Sequence, residues 1–426
     1  MKCLKKQQRI YLAKVNKYNW CIGEELPTIE DHSKVKLDII ENYLEIYLRY
    51  LTKGFKVSSL KLDIIDGFCG GGIYSDGTTG SPIRIKETIE KTKKIINFEK
   101  ETSNCKTVTF DIKYTFIEKN KNSFLFLNKT LNDYGYLSED TNCLNGKFVS
   151  YLDAIIDNIK NRSRANRCIF ILDQYGYADA PIPVIKKIFE QLPKAEVILT
   201  FSVDSLIDYL SSEKPQVLYN MGLSKEDCEQ IYDVKEDNDF SRTKIQPLLY
   251  KTIVNTVNAP FYTPFFIKSD VSSRAYWLFH FSTHAIARDE MMKIHWKNQN
   301  TFVHHAGAGL KMFVGYDSKC KDNLFNHSNY TFDDLSKEKS IQLLSCELPK
   351  IIQEKKCLDF NSLNNLIANE TPVTRDIIRE SLANSIESGE IKIVSKDNNQ
   401  IRRKHTTIQD KDIIKWTQQR QISFLF

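Results

Sequence analysis

The sequence predicts an α/β protein: a Rossmann-like sheet, mostly parallel and finished by an antiparallel hairpin, with a small C-terminal winged-helix domain behind it. Three observations carry that prediction. The run Leu62-Asp63-Ile64-Ile65-Asp66-Gly67-Phe68-Cys69-Gly70-Gly71-Gly72 is apolar, ends in an acid and opens into glycines. A buried parallel strand meets the crevice beyond the strand ends of an open α/β sheet in this way. Further apolar strands alternate with helical patterns as far as an aromatic strand pair near residues 265–281, the order of an α/β sheet closed by a hairpin. From Ser336 the pattern changes to three helices and a basic hairpin, which is a winged helix.

At 426 residues the chain is too long for one ordinary core and suggests two or three domains. Its 41% hydrophobic and 11% aromatic content is that of a folded protein. Lys+Arg 60 against Asp+Glu 54 leaves +6, an excess that permits nucleic-acid binding without demanding it. Ten cysteines include no CxxC and no Cys/His cluster at metal spacing, so no metal site and no disulfide framework are expected. They read as reduced thiols of a cytoplasmic protein. No apolar run approaches the ~18 residues of a membrane span, so no membrane partner is expected. The Lys, Ile and Asn richness is that of an AT-rich bacterial genome.

Residues 1–30 read as an irregular extension containing Trp20 and Pro27. Val35, Leu37, Ile39, Ile40, Tyr43, Leu44, Tyr47 and Leu51 then give a helix with an apolar stripe for the sheet, capped by Asp31 or Ser33. Lys34 and Lys36 fall in its first turn, where the helix dipole disfavours cations. Either this is a solvated face, or His32 and Lys34 point at an anionic ligand.

In the loop after the first strand, Gly67, Gly70 and Gly72 allow a tight turn with no Cβ in the way of a ligand. An ordinary tight turn is the plain alternative. No helix follows at once, as a pyrophosphate would want, so S-adenosylmethionine (SAM) suits the loop better. Asp66 would lie near its methionine amine, with Phe68 beside it. Ser81-Pro82 predicts a helix start with a cap and an N1 proline. Residues 108–117 read as the second strand, leading into Glu118, an acid placed to take the two ribose hydroxyls of a nucleoside cofactor. After a helix at 123–131, the stretch 147–151 stands in the third strand's place. Asp153 follows it, either as acceptor for the adenine amino group or as a helix cap.

The fourth strand, 168–172, ends in Asp173-Gln174-Tyr175-Gly176. An acid and an aromatic ring facing the cofactor loop suit methylation of an exocyclic amine. Asp173 would accept from the amine and steer its lone pair, and Tyr175 would stack on the base. Amino-group methyltransferases carry Asp/Asn-Pro-Pro-aromatic at this point, whereas here Gln174 and Tyr175 stand where the prolines would be. A plain strand end beside the cofactor is the competing account. A helix at 184–191, a strand at 195–201 and a helix at 202–210 follow. Residues 211–262 read as a helical or irregular insertion, and the hairpin and a helix at 285–297 complete a domain spanning 31–330. His304-His305 lacks an acid or cysteine at ligand spacing.

The winged helix spans 336–405, with 374–388 in the recognition position and 406–426 as an amphipathic tail. Arg375 and Arg379 are offset there by Asp376, Glu380 and Glu387. The wing is basic: Lys392, Lys396, Arg402, Arg403 and Lys404 would contact phosphates, or alternatively a protein.

Together these stretches resemble the three-Cys-motif partner (TcmP) family of bacteria. Asp66 through Gly77, with Gly80-Ser81-Pro82, is similar to the family's Asp-Gly-Phe-x-Gly-x-Gly-x-Tyr-x-Asp-Gly and Gly-Ser-Pro. Asp173 to Gly176 is similar to its Asp-x-aromatic-Gly. The stretch Tyr276 to Trp296 is similar to its aromatic strand and Met-Lys-x-x-x-Trp helix, one residue tighter here. The resemblance implies a methyltransferase-like domain plus a winged helix, and a protein partner encoded nearby. Two functions fit these residues. One is SAM-dependent methylation of a nucleic-acid amino group, adenine N6 first, on RNA or DNA. The other is a non-catalytic partner that binds nucleotide or nucleic acid in a multi-protein system such as phage defence. A nuclease lacks the clustered Asp/Glu/Lys a two-metal site would need.

Overall fold

The computed structural model describes residues 18–162, 164–174, 179–211, 213, 216–237, 242–268, 275–298, 308–310, 330 and 332–417. Its main sheet has seven strands: β1 (Ser59–Asp66), β2 (Thr109–Glu118), β3 (Thr141–Asn145), β4 (Arg167–Leu172), β5 (Lys194–Phe201), β6 (Phe261–Lys268) and β7 (Ala275–Ser282). They lie in the order β3-β2-β1-β4-β5-β7-β6. Neighbours are parallel except β7, which runs antiparallel to both β5 and β6. This is the expected Rossmann-like sheet, mostly parallel and finished by an antiparallel hairpin.

Strand alternation divides the core between two faces. Ile65, Ile117, Phe170, Leu172, Val197 and Leu199 face one side, under the helices Phe148–Arg162, Ile182–Gln191 and Arg242–Val257. Leu62, Ile64, Phe116, Ile169, Ile171 and Ile198 face the other, under Asp31–Thr52, Ser81–Thr102, Lys121–Asp133 and Ala285–Lys297. Both faces being covered explains why the central strands read as unbroken apolar runs. Glu196 in β5 is the polar interruption: buried, it accepts from the Tyr43 hydroxyl and lies 3.0 Å from His280 Nε2.

Several local expectations need correcting. The third strand is Thr141–Asn145, and 147–151 instead opens the helix Phe148–Arg162. Phe148, Leu152, Ile155 and Ile159 recur at helical spacing and are all buried, while the edge strand β3 has no apolar run to announce it. Ser81 is not the cap of its helix; Gly80 holds that place and the Ser81 hydroxyl is used elsewhere. Glu30, not Asp31 or Ser33, precedes the first helix. Residues 211–262 contain the helices Gln216–Asn220, Lys225–Glu236 and Arg242–Val257.

The C-terminal unit packs the helices Asp334–Lys355, Phe360–Ile367, Arg375–Ser381 and Ala383–Glu387 on a four-stranded sheet. The strands are β8 (Cys357–Asp359), β9 (Ile391–Val394), β10 (Ile401–Arg402) and β11 (Ile413–Trp416), ordered β10-β9-β11-β8. Leu344, Leu348, Phe360, Leu363, Ile378 and Ile414 are among its core. Two expectations shift here. Residues 413–416 form a central strand of this sheet rather than a tail, and 418–426 lie outside the described residues. The helix in the recognition position is broken at Leu382.

The two units are joined by side-chain hydrogen bonds, those of Arg288 being buried. Arg288, on the Ala285–Lys297 helix, donates to the carbonyls of Thr371 and Val373, and Trp296 Nε1 donates to Pro372 at 3.0 Å. Asn369 bridges the Pro260 carbonyl and the Tyr262 N–H. Among the described residues no helix is long and apolar enough to cross a membrane.

Candidate functional site

β1 lies between β2 and β4, so the chain leaves the sheet in opposite directions on either side of it. The crevice of an open sheet forms at that switch point, beyond the carboxyl ends of the strands. A cleft of about 380 Å3 opens there, lined among others by Gly67, Phe68, Glu118, Phe148, Asp173 and Tyr276. Three acids end three adjacent strands at this edge: Asp66, Glu118 and, one residue past β4, Asp173.

Asp66 is 1% exposed and lies under the cleft floor. Its carboxylate accepts from the Phe68 N–H at 3.1 Å and from the Ser81 hydroxyl. Burial pushes its pKa up to about 7, with those two hydrogen bonds pulling the other way. Ser81, which does line the cleft, is therefore the surface through which Asp66 is felt. Glu118 is half-buried, and its oxygens accept from Gly70 N–H at 3.1 Å and Asn120 N–H at 2.7 Å. Burial raises its pKa against these bonds. Asn120 also caps the helix Lys121–Asp133, which fixes the turn after β2.

The glycines act differently from one another. Gly67 is needed for space, since a Cβ would sit 2.8 Å from Leu172. Gly70 and Gly72 have φ of +62° and +87°, where side chains are strained. Gly72 accepts from Gly80 N–H at 2.8 Å and closes the loop. The room above Gly70 and Gly71 is taken by the protein itself. The Trp20 ring packs there, 2.2 Å from where a Gly71 Cβ would be, and its Nε1 donates to the Ile73 carbonyl at 2.6 Å. In the sequence Trp20 falls in an irregular extension, with nothing local to tie it to a loop about fifty residues away.

Asp173 is held by Lys36, whose Nζ lies 2.6 and 2.8 Å from its two oxygens. Lys36 is 6% exposed. His32 and Lys36 stand one helical turn apart on the cleft face, and His32 stacks on Tyr276 at 4.9 Å. Lys34 points elsewhere and pairs with Asp76 at 3.0 Å. The expected His32–Lys34 pair is thus His32–Lys36, and the i,i+4 spacing was the signal for it. Gln174 is buried, its Oε1 accepting from the Ala180 N–H at 3.0 Å.

Asp153 is not brought to the cleft. It lies exposed on the Phe148–Arg162 helix, paired with Lys187. The expected strand at 147–151 would place it at a strand end; the helix found there turns it outward. Tyr175 and His304-His305 lie outside the described residues. In the wing, Lys392, Arg403 and Lys404 are exposed, but Arg402 is tied to the buried Asp412 at 2.9 Å.

The donor set fits an adenosyl sulfonium. Glu118 offers acceptors for a diol, Phe68 and Phe148 offer apolar walls, and Ser81 and Asp173 offer polar contacts. A family model described as a GMT-like wHTH domain matches residues 316–398. No curated protein matches the chain. Among solved structures, protein LPL1258 from Legionella pneumophila is similar at 13% identity and TM-score 0.31, over 58% of this chain and 85% of that one. The O-methyltransferase TomG from Streptomyces achromogenes, solved with SAM, is similar at 12% identity and TM-score 0.28, over 57% and 79%.

Proposed function

We propose that the protein is a SAM-dependent methyltransferase acting on an amino group of a nucleic-acid base, adenine N6 being the first candidate. The observation that carries this is Asp173 at the end of β4, facing the cleft and gripped by a buried lysine. A carboxylate has about four lone-pair sites. Lys36 occupies two, so an exocyclic amine can donate to another and be oriented for attack. Bound SAM would supply an electrophilic methyl group. Glu118 would hold its ribose, and Ser81 over Asp66 would face its methionine end. The winged-helix domain would bring the nucleic acid, and the TcmP resemblance belongs to the same reading.

A second reading rests on Gln174. Its side chain is spent inward on Ala180 in place of a rigid proline turn, as in a partner protein that keeps the site for binding alone. The test is transfer of labelled methyl from SAM to RNA and DNA, with nucleoside analysis by mass spectrometry. N6-methyladenosine or its deoxy form is the expected product. SAM binding with no label on any nucleic acid would favour the binding-only reading.

A further inference from the structure

The helix in the recognition position is not free to enter a groove. Helix-turn-helix proteins read base edges with the N-terminal residues of that helix. Here that end faces the neighbouring domain: the Arg375 N–H donates to Asp289 Oδ1 at 2.7 Å, just after the carbonyls bound by Arg288 and Trp296. Its cations are also spent. Arg375 is 5% exposed and pairs with Asp410 at 2.6 Å, and Arg379 is shared between Asp376 and Asp410.

The outer face of the four-stranded sheet is the opposite case. Lys392 and Lys415 stand directly across from each other on β9 and β11, and both are exposed. Like charges so placed oppose folding unless something else uses them. Lys396 in the β9–β10 turn, and Arg403 and Lys404 just past β10, add further exposed cations beside this edge. None of the five makes an ion pair among the described residues. Asp359 shares the face; its carboxylate caps a helix through Ser362, at 2.9 Å from the N–H and 2.7 Å from the hydroxyl, and also feels the nearby Lys396 charge.

We infer that the winged-helix domain holds a nucleic-acid duplex by its phosphodiester backbone through this sheet face, without reading bases. The choice of target then falls to the cleft. Charge complementarity selects the occupant: five exposed cations, two facing each other on the sheet and three in the segments flanking β10, match a run of phosphates. The inference rests on the nucleic-acid part of the proposed function and is independent of methyl transfer.

Fluorescence anisotropy with short DNA and RNA duplexes of two unrelated sequences tests it. The wild-type protein should bind both sequences of a given duplex type alike. Lys392→Glu/Lys396→Glu/Lys415→Glu should weaken binding more than tenfold and flatten the plot of log affinity against log salt by about 2.7, three contacts at ~0.9 each. The milder Lys392→Gln/Lys415→Gln should move both quantities the same way by less, which guards against misfolding of the triple variant. Asn384→Ala, on the exposed side of the broken helix, should change neither. Unchanged affinity in both lysine variants, a strong preference for one sequence, or no duplex binding at low salt would each overturn the inference. SAM titration of the same samples reports separately on the cleft, so loss of one leaves the other readable.

Discussion

Asp173→Ala should lower methyl transfer by about 10²–10⁴-fold, the range expected when a positioned hydrogen-bonding group is removed from the reacting centre. The same change strips Lys36 of its partner and leaves a buried ammonium, so the variant should also melt at lower temperature. Two companions separate the effects. Asp173→Asn keeps an oxygen that can accept from both Lys36 and the amine, and should recover part of the rate. Asp173→Ala/Lys36→Met removes the stranded charge and should recover stability while remaining inactive. Single-turnover rates and melting curves on the three variants check this. A double variant that regains activity along with stability would mean that the pair is structural only.

Asp66→Asn should change how stability depends on pH. The folded-state pKa of Asp66 is pushed up to about 7 by burial, against about 3.9 in an unfolded chain. Between those values the folded state binds more protons than the unfolded one, so this group's contribution to stability falls as pH rises from about 4 to about 7 and is level above. The full change is on the order of 4 kcal/mol. Asparagine cannot ionise. The variant should therefore gain on the wild type steadily across that window in denaturant melts. Parallel curves would show that Asp66 titrates near its ordinary value. A cation seated by the cleft floor would draw the pKa back down, so SAM should stabilise the wild type more at pH 8 than at pH 5.

The strands that carry the site were legible because their signal is local. A parallel strand buried on both faces must be continuously apolar, and its exit must turn. Hence 62–72, 108–118 and 168–173 stood out, and their acids do gather at one sheet edge. What failed was whatever depended on distance in sequence. Lys36 meets Asp173 across 137 residues, and Trp20 meets Ile73 across 53; neither partner marks the other. Asp153 failed for a different reason. An edge strand as short and polar as Thr141–Asn145 gives no apolar run, so the apolar start of the following helix takes its place in the sequence pattern and Asp153 falls at a false strand end. In the winged helix, β11 is four residues long and becomes visible only through its ladders to β8 and β9. The neutralised arginines of its broken helix likewise depend on Asp410, more than thirty residues on.

If the cleft at the ends of β1, β2 and β4 is a SAM site, calorimetric titration of the intact protein with SAM, using ATP and NAD as comparison ligands, should show it. Micromolar binding of SAM is expected, with no comparable heat from the other two, and weakened in Glu118→Ala. A folded protein that binds none of the three, or binds ATP in preference, would contradict it.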